Sequence, residues 1–250
     1  MVMRWYVWVG RLMRISSLKR YQTGMSLISL MIGILISMIG ILAGFLLYQN
    51  MVKVTLQTRA DATQDGQLAS AMLSLQLQLQ SAGFGIDKAA NPGPHLDLVS
   101  GPPQALYWRY LNNPADPNSA VCAGFRVEDA DVVENGVTDV RRQLQLLSPV
   151  TPASCTLGAN LTGLAGGWKI DSILAQFRRS DEALAITSFP VVSITSAISQ
   201  CFPYGLGQAA NYRTVTISVD GAARRAAIDA GNAAPSIAPS VYSFCLPNIP

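Results

Sequence analysis

An uncharged apolar stretch, Met25–Tyr48, constrains this chain more than any other feature of its sequence. As an α-helix it would be about 36 Å long, at about 1.5 Å per residue. That length exceeds the hydrocarbon core of a bilayer, which is roughly 30 Å thick. A cleaved secretory signal has a shorter apolar core followed by a small-residue cleavage site, whereas Tyr48-Gln49-Asn50 follows here. The stretch therefore predicts a transmembrane helix at residues 25–48.

The distribution of charge places the two ends of the chain on opposite sides of that membrane. Residues 1–24 contain no acidic residue and five basic ones, which are Arg4, Arg11, Arg14, Lys19 and Arg20. The positive-inside rule puts such a segment in the cytoplasm and everything after Lys53 outside it. Of the 18 basic residues, 13 remain beyond residue 24, against 15 acidic ones. This slightly negative balance argues against nucleic-acid binding, which needs a basic surface.

The four cysteines point to the same topology. They are widely spaced, with no CxxC motif among them: Cys122, Cys155, Cys201 and Cys245. An even number of cysteines beyond a membrane span is typical of disulfides formed in an oxidising compartment. Four cysteines allow three pairings, and their spacing alone does not choose between these.

The helical pattern continues past the membrane segment. Residues 49–82 are mostly good helix formers, and no proline occurs between Met1 and Asn91. Residues 73–80 alternate leucine with serine or glutamine, as a half-buried strand would, but they lack β-branched residues and therefore favour a helix. Gly83 is a suitable C-cap. The predicted buried face consists of Leu68, Met72, Leu75 and Leu79.

The composition after Gly83 predicts an antiparallel β-sheet, so the expected fold class is α+β. Turn signals occur at residues 91–94 and 101–103, and Asn135-Gly136 suggests a hairpin between 131–134 and 137–140. Residues 168–177 fit either a strand or a short helix, and residues 220–240 resemble a surface loop. The strand candidates are Ala105–Leu111, Val121–Val127, Val140–Leu147, Ala183–Ile186, Val191–Ile194, Tyr212–Val219 and Val241–Leu246.

The sequence offers little catalytic chemistry. It contains no GxSxG, P-loop or HExxH motif, and we expect no enzyme activity, metal or cofactor. The single histidine, His95, lies in a proline-rich loop and is expected at the surface. Solvated positions are also expected for two acidic pairs and three basic pairs, which are Asp129/Asp131, Asp181/Glu182, Arg141/Arg142, Arg178/Arg179 and Arg224/Arg225.

The junction before the apolar stretch is informative. Its sequence, Lys19-Arg20-Tyr21-Gln22-Thr23-Gly24-Met25-Ser26-Leu27-Ile28, resembles the class III signal of type IV prepilins. That resemblance implies cleavage by the prepilin peptidase between Gly24 and Met25, and N-methylation of Met25. A start at Met13 would give a leader of more usual length.

The likeness to pilins extends beyond the signal. The predicted elements of this chain resemble the pilin architecture. In that family the second half of a long N-terminal helix packs on an antiparallel sheet, and a disulfide lies near the C-terminus. This resemblance favours Cys201–Cys245, which would tie the last strand to the sheet, and with it Cys122–Cys155. The segment 79–85 is similar to the helix end of PilW-like minor pilins. The implied organisation is a leader at 1–24, a transmembrane half-helix at 25–48, a periplasmic half-helix at 49–83 and a disulfide-bonded domain at 84–250.

One position departs from the family pattern. The fifth mature residue of most pilins is glutamate, which is thought to neutralise the terminal amine of a neighbouring subunit, and here it is Ser29. In pilin-like proteins the absence of this carboxylate is associated with the subunit at the filament tip.

The resemblance implies a minor pilin that primes a type IV pilus and lies at or near its tip. Its partners would be the prepilin peptidase, the inner-membrane assembly platform, and other minor and major pilins, contacted through the N-terminal helix. It would cross the inner membrane once before entering the fibre. Two alternatives stay open: a minor pseudopilin of a type II secretion system, and a single-span envelope protein with an extracytoplasmic binding domain.

Overall fold

The computed structural model describes residues 27–249, apart from residues 88, 92, 135, 179–188, 204–209 and 232–235. The chain divides into two units between Met51 and Val52. The first unit, as far as it is described, is the apolar beginning of helix α1. The second unit contains the rest of that helix and all of the β-structure. The chain is therefore an α+β protein.

Helix α1 spans Leu27–Gln80 and has 54 residues. It includes the segment that alternates leucine with polar residues. Leu73 and Leu77 are 60% and 64% exposed, whereas Leu75 and Leu79 are fully buried, so the segment follows helical rather than strand periodicity. The predicted buried face of Leu68, Met72, Leu75 and Leu79 is confirmed.

The helix ends in a tight turn. The N–H groups of Ser81 and Ala82 bond to carbonyls three residues back, at 3.2 and 3.0 Å. Gly83 then takes the left-handed conformation, with φ of 76°, that favours glycine after a helix C-terminus. Its N–H donates to the carbonyl of Arg109 at 2.8 Å, which ties the helix end to the sheet.

In the part of the chain that the structure describes, eight strands form two antiparallel sheets rather than one. The first sheet has the sequential order β1-β2-β3-β4-β5 and the second has the order β6-β7-β8. The strands are β1 Leu96–Val99, β2 Gln104–Leu111, β3 Ala120–Glu134, β4 Val137–Pro149, β5 Trp168–Arg178, β6 Val192–Cys201, β7 Ala210–Val219 and β8 Ser240–Leu246. A short 3₁₀ helix, Pro152–Ser154, follows β4, and helix α2, Ala222–Asp229, follows β7.

Most predicted strands are present. The predicted hairpin joins β3 to β4, where Glu134 pairs with Val137 and Gly136 has φ of 79°, and residues 168–177 belong to β5. The prediction of a loop over residues 220–240 was wrong for α2, since its alanine-rich sequence has high intrinsic helix propensity. The candidate strand Ala183–Ile186 lies outside the described residues.

The main core of the second unit lies where the buried face of α1 meets one face of each sheet. Trp108, Phe125 and Leu144 contribute from the first sheet, and Val215 and Ile217 from the second. Each buried leucine or aromatic side chain is worth about 1.5–3 kcal/mol relative to full exposure. A smaller cluster covers the opposite face of the first sheet. It contains Ala105, Tyr107, Cys122, Leu147, Cys155 and Leu161.

Candidate functional site

The beginning of α1 is the most unusual surface of the chain. Within the segment Leu27–Leu56, an 18-residue window has a mean hydropathy of 2.7, and none of that window is buried within the chain. The segment is long and apolar enough to cross a membrane. A continuous apolar surface of this size needs lipid or another protein to cover it.

Of the positions implied by the pilin resemblance, the structure describes Ser29, which lies in this apolar part of α1 and is exposed. It adds no charge to a helix whose first charged residue is Lys53. Gly24 and Met25, the cleavage and methylation positions, lie outside the described residues.

Both disulfides favoured from the sequence are present. Cys122 pairs with Cys155 across a separation of 33 residues, with a Cα–Cα distance of 5.7 Å. Cys201 pairs with Cys245 across 44 residues, at a Cα–Cα distance of 5.9 Å, and so joins the end of β6 to the last strand. Because such bridges persist in oxidising compartments, they indicate that this domain is extracytoplasmic.

The first disulfide is part of a larger attachment. It holds the segment 151–167, which we call the outer loop, against β3. The guanidinium of Arg109, fully buried, donates to the carbonyl oxygens of Thr156, Leu157 and Ala159. Burial lowers the pKa of Arg109, which Asp97 partly offsets.

The base of the outer loop is fixed by an aromatic pair. Trp168 Nε1 donates to the carbonyl of Leu161 at 3.0 Å, and the Trp168 ring stacks on Tyr107 with centroids 4.7 Å apart. Burial raises the pKa of Tyr107. The Arg109 guanidinium, the Cys122–Cys155 disulfide and the stacked Trp168 ring all hold the same segment. The outer loop is therefore a fixed part of the domain.

The prediction that the basic pairs are solvated was wrong for several members. Arg141 is buried beside β5 and donates to Glu134 at 2.9 and 2.5 Å, while Arg178 reaches the same carboxylate at 3.3 Å. The bond from Arg141 lowers the pKa of Glu134 and raises the pKa of Arg141. The group joins the end of the β3–β4 hairpin to the end of β5. Arg179, with the acidic pair Asp181/Glu182, lies outside the described residues.

Arg142 is likewise engaged rather than solvated. It donates to both carboxylate oxygens of Asp129, at 2.7 and 2.9 Å, and to the carbonyl of Pro190 at 2.9 Å. Its guanidinium lies over the ring of Phe189, 4.7 Å from the centroid. Asp129 is therefore a strand residue of β3 with a fixed partner, and not part of a solvated turn.

Helix α2 is attached to α1 through Arg225. Arg225 is buried and donates to Gln64 Oε1 at 2.8 Å and to the carbonyl of Arg178 at 3.4 Å. Arg224 pairs with Asp220 one turn earlier, at 2.7 Å. The local sequence could not show these contacts, because Gln64 precedes Arg225 by 161 residues.

His95 is buried, which contradicts the expectation of a surface position. Its Nε2 lies 2.9 Å from the carbonyl oxygen of Asn91. Its own carbonyl accepts a bond from the Arg109 N–H at 3.1 Å, which extends the pairing of β1 with β2. The proline-rich loop therefore turns this histidine inward.

The described residues present no evident catalytic constellation. A cleft of about 400 Å³ is lined in part by Pro103, Gln104, Glu128 and Arg142. Its acidic residues are already paired, Glu128 with Arg126 at 2.6 Å and Asp129 with Arg142. Among the residues that the structure describes, no group of three His, Cys, Asp or Glu side chains is placed to hold a metal ion.

The second sheet has a hydroxyl-rich outer face that the sequence reading missed. Seven serine and threonine side chains lie on it: Ser193, Thr195, Ser199, Thr214, Thr216, Ser218 and Ser243. Several bond laterally, with 3.1 Å between Ser193 and Ser218 and 2.6 Å between Ser199 and Thr214. The alternation Thr214-x-Thr216-x-Ser218 signals this face in the sequence. We call it the hydroxyl face.

Comparison with known protein families, curated proteins and solved structures finds no match to this chain. What the chain does must therefore be argued from its own residues and geometry.

Proposed function

We propose that the chain is a minor pilin, similar to the PilW type, that helps to start assembly of a type IV pilus and lies at or near its tip. One observation carries the proposal. A single helix, described from Leu27 onward, carries an uncharged, exposed apolar segment and, nearer its C-terminus, a face buried in a disulfide-bonded antiparallel domain. A filament subunit needs both parts, one to lie in the membrane and then among other helices, and one to remain outside.

The junction before the helix supports processing by a prepilin peptidase. Hydrolysis of the Gly24–Met25 peptide bond would remove the basic leader and leave a new amine on Met25, which is then methylated. The uncharged apolar stretch would begin at this new N-terminus. The processed chain would keep its N-terminus at the cytoplasmic side of the inner membrane and its domain in the periplasm, as the arrangement of basic residues also indicates.

Ser29 supports a position at the tip. A carboxylate within a membrane helix is costly, about 2.5–3.5 kcal/mol on insertion scales, unless a partner offsets the cost. In a filament shaft that partner would be the amine of a neighbouring subunit. A subunit with none ahead of it gains nothing from the carboxylate, and the uncharged Ser29 fits that position.

The proposal is tested by following the protein into fibres. In cells that make pili, deletion of the chain should sharply reduce piliation, and an antibody against the domain should label filament ends rather than shafts. Normal piliation without the chain, with the protein confined to the membrane fraction, would instead favour a single-span envelope protein. Loss of protein secretion with normal pili would favour a pseudopilin.

A further inference from the structure

Strand β6 forms one edge of the second sheet, where it pairs with β7 without a register shift. The N–H of Ile194 points away from β7, because it donates to Gln104 Oε1 at 3.0 Å. Backbone groups alternate in direction along a strand, so those of Ser196, Ile198 and Gln200 also point away from β7. Within the described part of the chain, these three residues make no backbone hydrogen bond outside the β6–β7 ladder. The second half of β6 is therefore an open edge.

This edge lacks the usual protection against another strand. Natural edge strands are guarded by charges, proline or bulges, which prevent pairing with another chain. Strand β5, the edge of the first sheet, has two register shifts and carries Lys169 and Asp171. Strand β6 has neither a charged residue nor a proline, and the side chain of Ile198 is 61% exposed on it.

A cation lies beside this edge. Arg213 is the β7 partner of Ile198, and its Nη1 lies 3.5 Å from Ser196 Oγ, so the guanidinium extends toward the edge. Among the residues that the structure describes, no carboxylate pairs with Arg213.

The other arginines described in the strands and in α2 have stronger acceptors. Each bonds to a carboxylate, to a backbone carbonyl or to a side-chain amide oxygen; they are Arg109, Arg126, Arg141, Arg142, Arg178, Arg224 and Arg225. Of this set, Arg213 alone has only a hydroxyl at the limit of hydrogen-bond distance. Its charge is therefore available to a partner that binds at the edge.

We propose that the second half of β6 binds an extended segment of another protein, which adds a strand to the second sheet and places a carboxylate beside Ser196. Neighbouring strands lie about 4.8 Å apart, so an acidic side chain opposite Ser196 comes within reach of the Arg213 guanidinium. The outward backbone groups of Ser196, Ile198 and Gln200 would join the new ladder, as in other cases of strand addition to a sheet edge.

The edge also defines the pattern of the segment that it takes. Side chains two residues apart lie on the same face of a strand. An acidic residue opposite Ser196 would therefore be followed, two residues away, by a residue that covers the exposed side chain of Ile198, and that residue should be apolar.

Charge excludes two other occupants. Two copies of this edge, paired about Ile198, would bring their Arg213 side chains together, and a basic segment would meet the same repulsion. The edge lies wholly within the second unit, so the binding does not depend on entry into a filament.

The test uses two peptides that differ in one residue. The first is Thr-Val-Thr-Glu-Thr-Val-Thr with both ends blocked, which presents the same pattern in either strand direction, and the second has lysine in place of glutamate. Fluorescence anisotropy of the labelled peptides, titrated with the full chain in detergent micelles, measures the two dissociation constants. The wild type should bind the glutamate peptide about fivefold or more tightly than the lysine peptide.

Three variants locate the binding. Arg213→Glu should reverse the preference, because the lysine peptide then meets an opposite charge. Ile198→Pro removes an outward N–H without touching the bonds to β7, so it should weaken the binding of both peptides. Lys169→Glu makes the same change of charge sign at an exposed residue of β5 and should keep the wild-type preference. Circular dichroism verifies that each variant is folded.

Four results would overturn the proposal. One is a wild type that binds neither peptide or binds both equally. Another is a preference that Arg213→Glu leaves unchanged, since the carboxylate would then lie elsewhere. Undiminished binding by Ile198→Pro would exclude strand addition at this edge, and a reversal by Lys169→Glu would assign the preference to net charge.

Discussion

The carbonyl oxygen of Asn248 lies 2.5 Å from the point where a β-carbon on Gly83 would sit. The end of α1 and the C-terminal segment are therefore in direct contact through a glycine that has φ of 76°. The Asn248 amide donates to the carbonyl of Gln80, at 3.3 Å, in the same place. Two segments far apart in sequence thus meet at one residue that tolerates no side chain.

Gly83→Ala should destabilise the domain. A left-handed alanine costs about 1–2 kcal/mol, and the contact with Asn248 adds to this. Gly66→Ala is the matched control, because Gly66 lies within α1 with nothing within 4 Å of its β-carbon position. The Gly66→Ala variant should have a free energy of unfolding about 0.5–1 kcal/mol higher than that of the wild type. Denaturant unfolding of the full chain in detergent, followed by tryptophan fluorescence, measures both; equal effects would contradict the assigned helix end.

The two leucine sets of α1 should respond very differently to truncation. Leu75→Ala empties a fully buried site and should cost about 2–5 kcal/mol. Leu73→Ala, at a 60% exposed site, should change stability by less than about 0.5 kcal/mol. The same unfolding assay separates the helix from the strand interpretation, because a strand would bury both residues on the same face and make both changes costly.

The contacts of Glu134 predict a pH dependence. Its pKa is lowered by the hydrogen bond from Arg141, so the folded state favours the charged carboxylate. The stability that Glu134 contributes is therefore fully present above its ordinary pKa of 4.5, and it is lost as the pH falls through the lowered pKa. Glu134→Gln should be less stable than the wild type at pH 7, and the difference should shrink at acidic pH. Thermal unfolding at several pH values measures this, with Glu128→Gln as the comparison. A difference that is constant with pH would exclude the electrostatic explanation.

Ser29→Glu should leave piliation near normal if the chain occupies the tip, since no subunit ahead of it offers an amine. The carboxylate would be unpaired in lipid during insertion and can lower the protein level, so abundance is measured beside piliation. Ser29→Ala, which adds no charge, is the control. A strong increase of the Ser29→Glu protein in sheared fibres would place the chain along the shaft.

The sequence predicts those elements whose pattern is local. The spacing of Leu68, Met72, Leu75 and Leu79 defined the buried face of α1, and its lack of β-branched residues excluded a strand. The hairpin at Gly136 followed from its turn residues.

Features set by distant contacts could not be predicted in this way. The attachment of helix α2 to α1 uses the bond from Arg225 to Gln64, and the burial of His95 depends on the path of its loop past Asn91. The division into two sheets was also missed, because it depends on which strands pair with each other and not on the pattern of any single strand.

The most direct test of the pilin proposal is the N-terminus of the mature protein. Intact-mass analysis and N-terminal sequencing of the native, membrane-extracted chain should show a methylated N-terminus at Met25. Gly24→Val, expressed in the same cells, should keep its leader and show the mass of the unprocessed chain. A native protein that begins at Met1, Met3 or Met13 would contradict the proposal and leave a single-span envelope protein in its place.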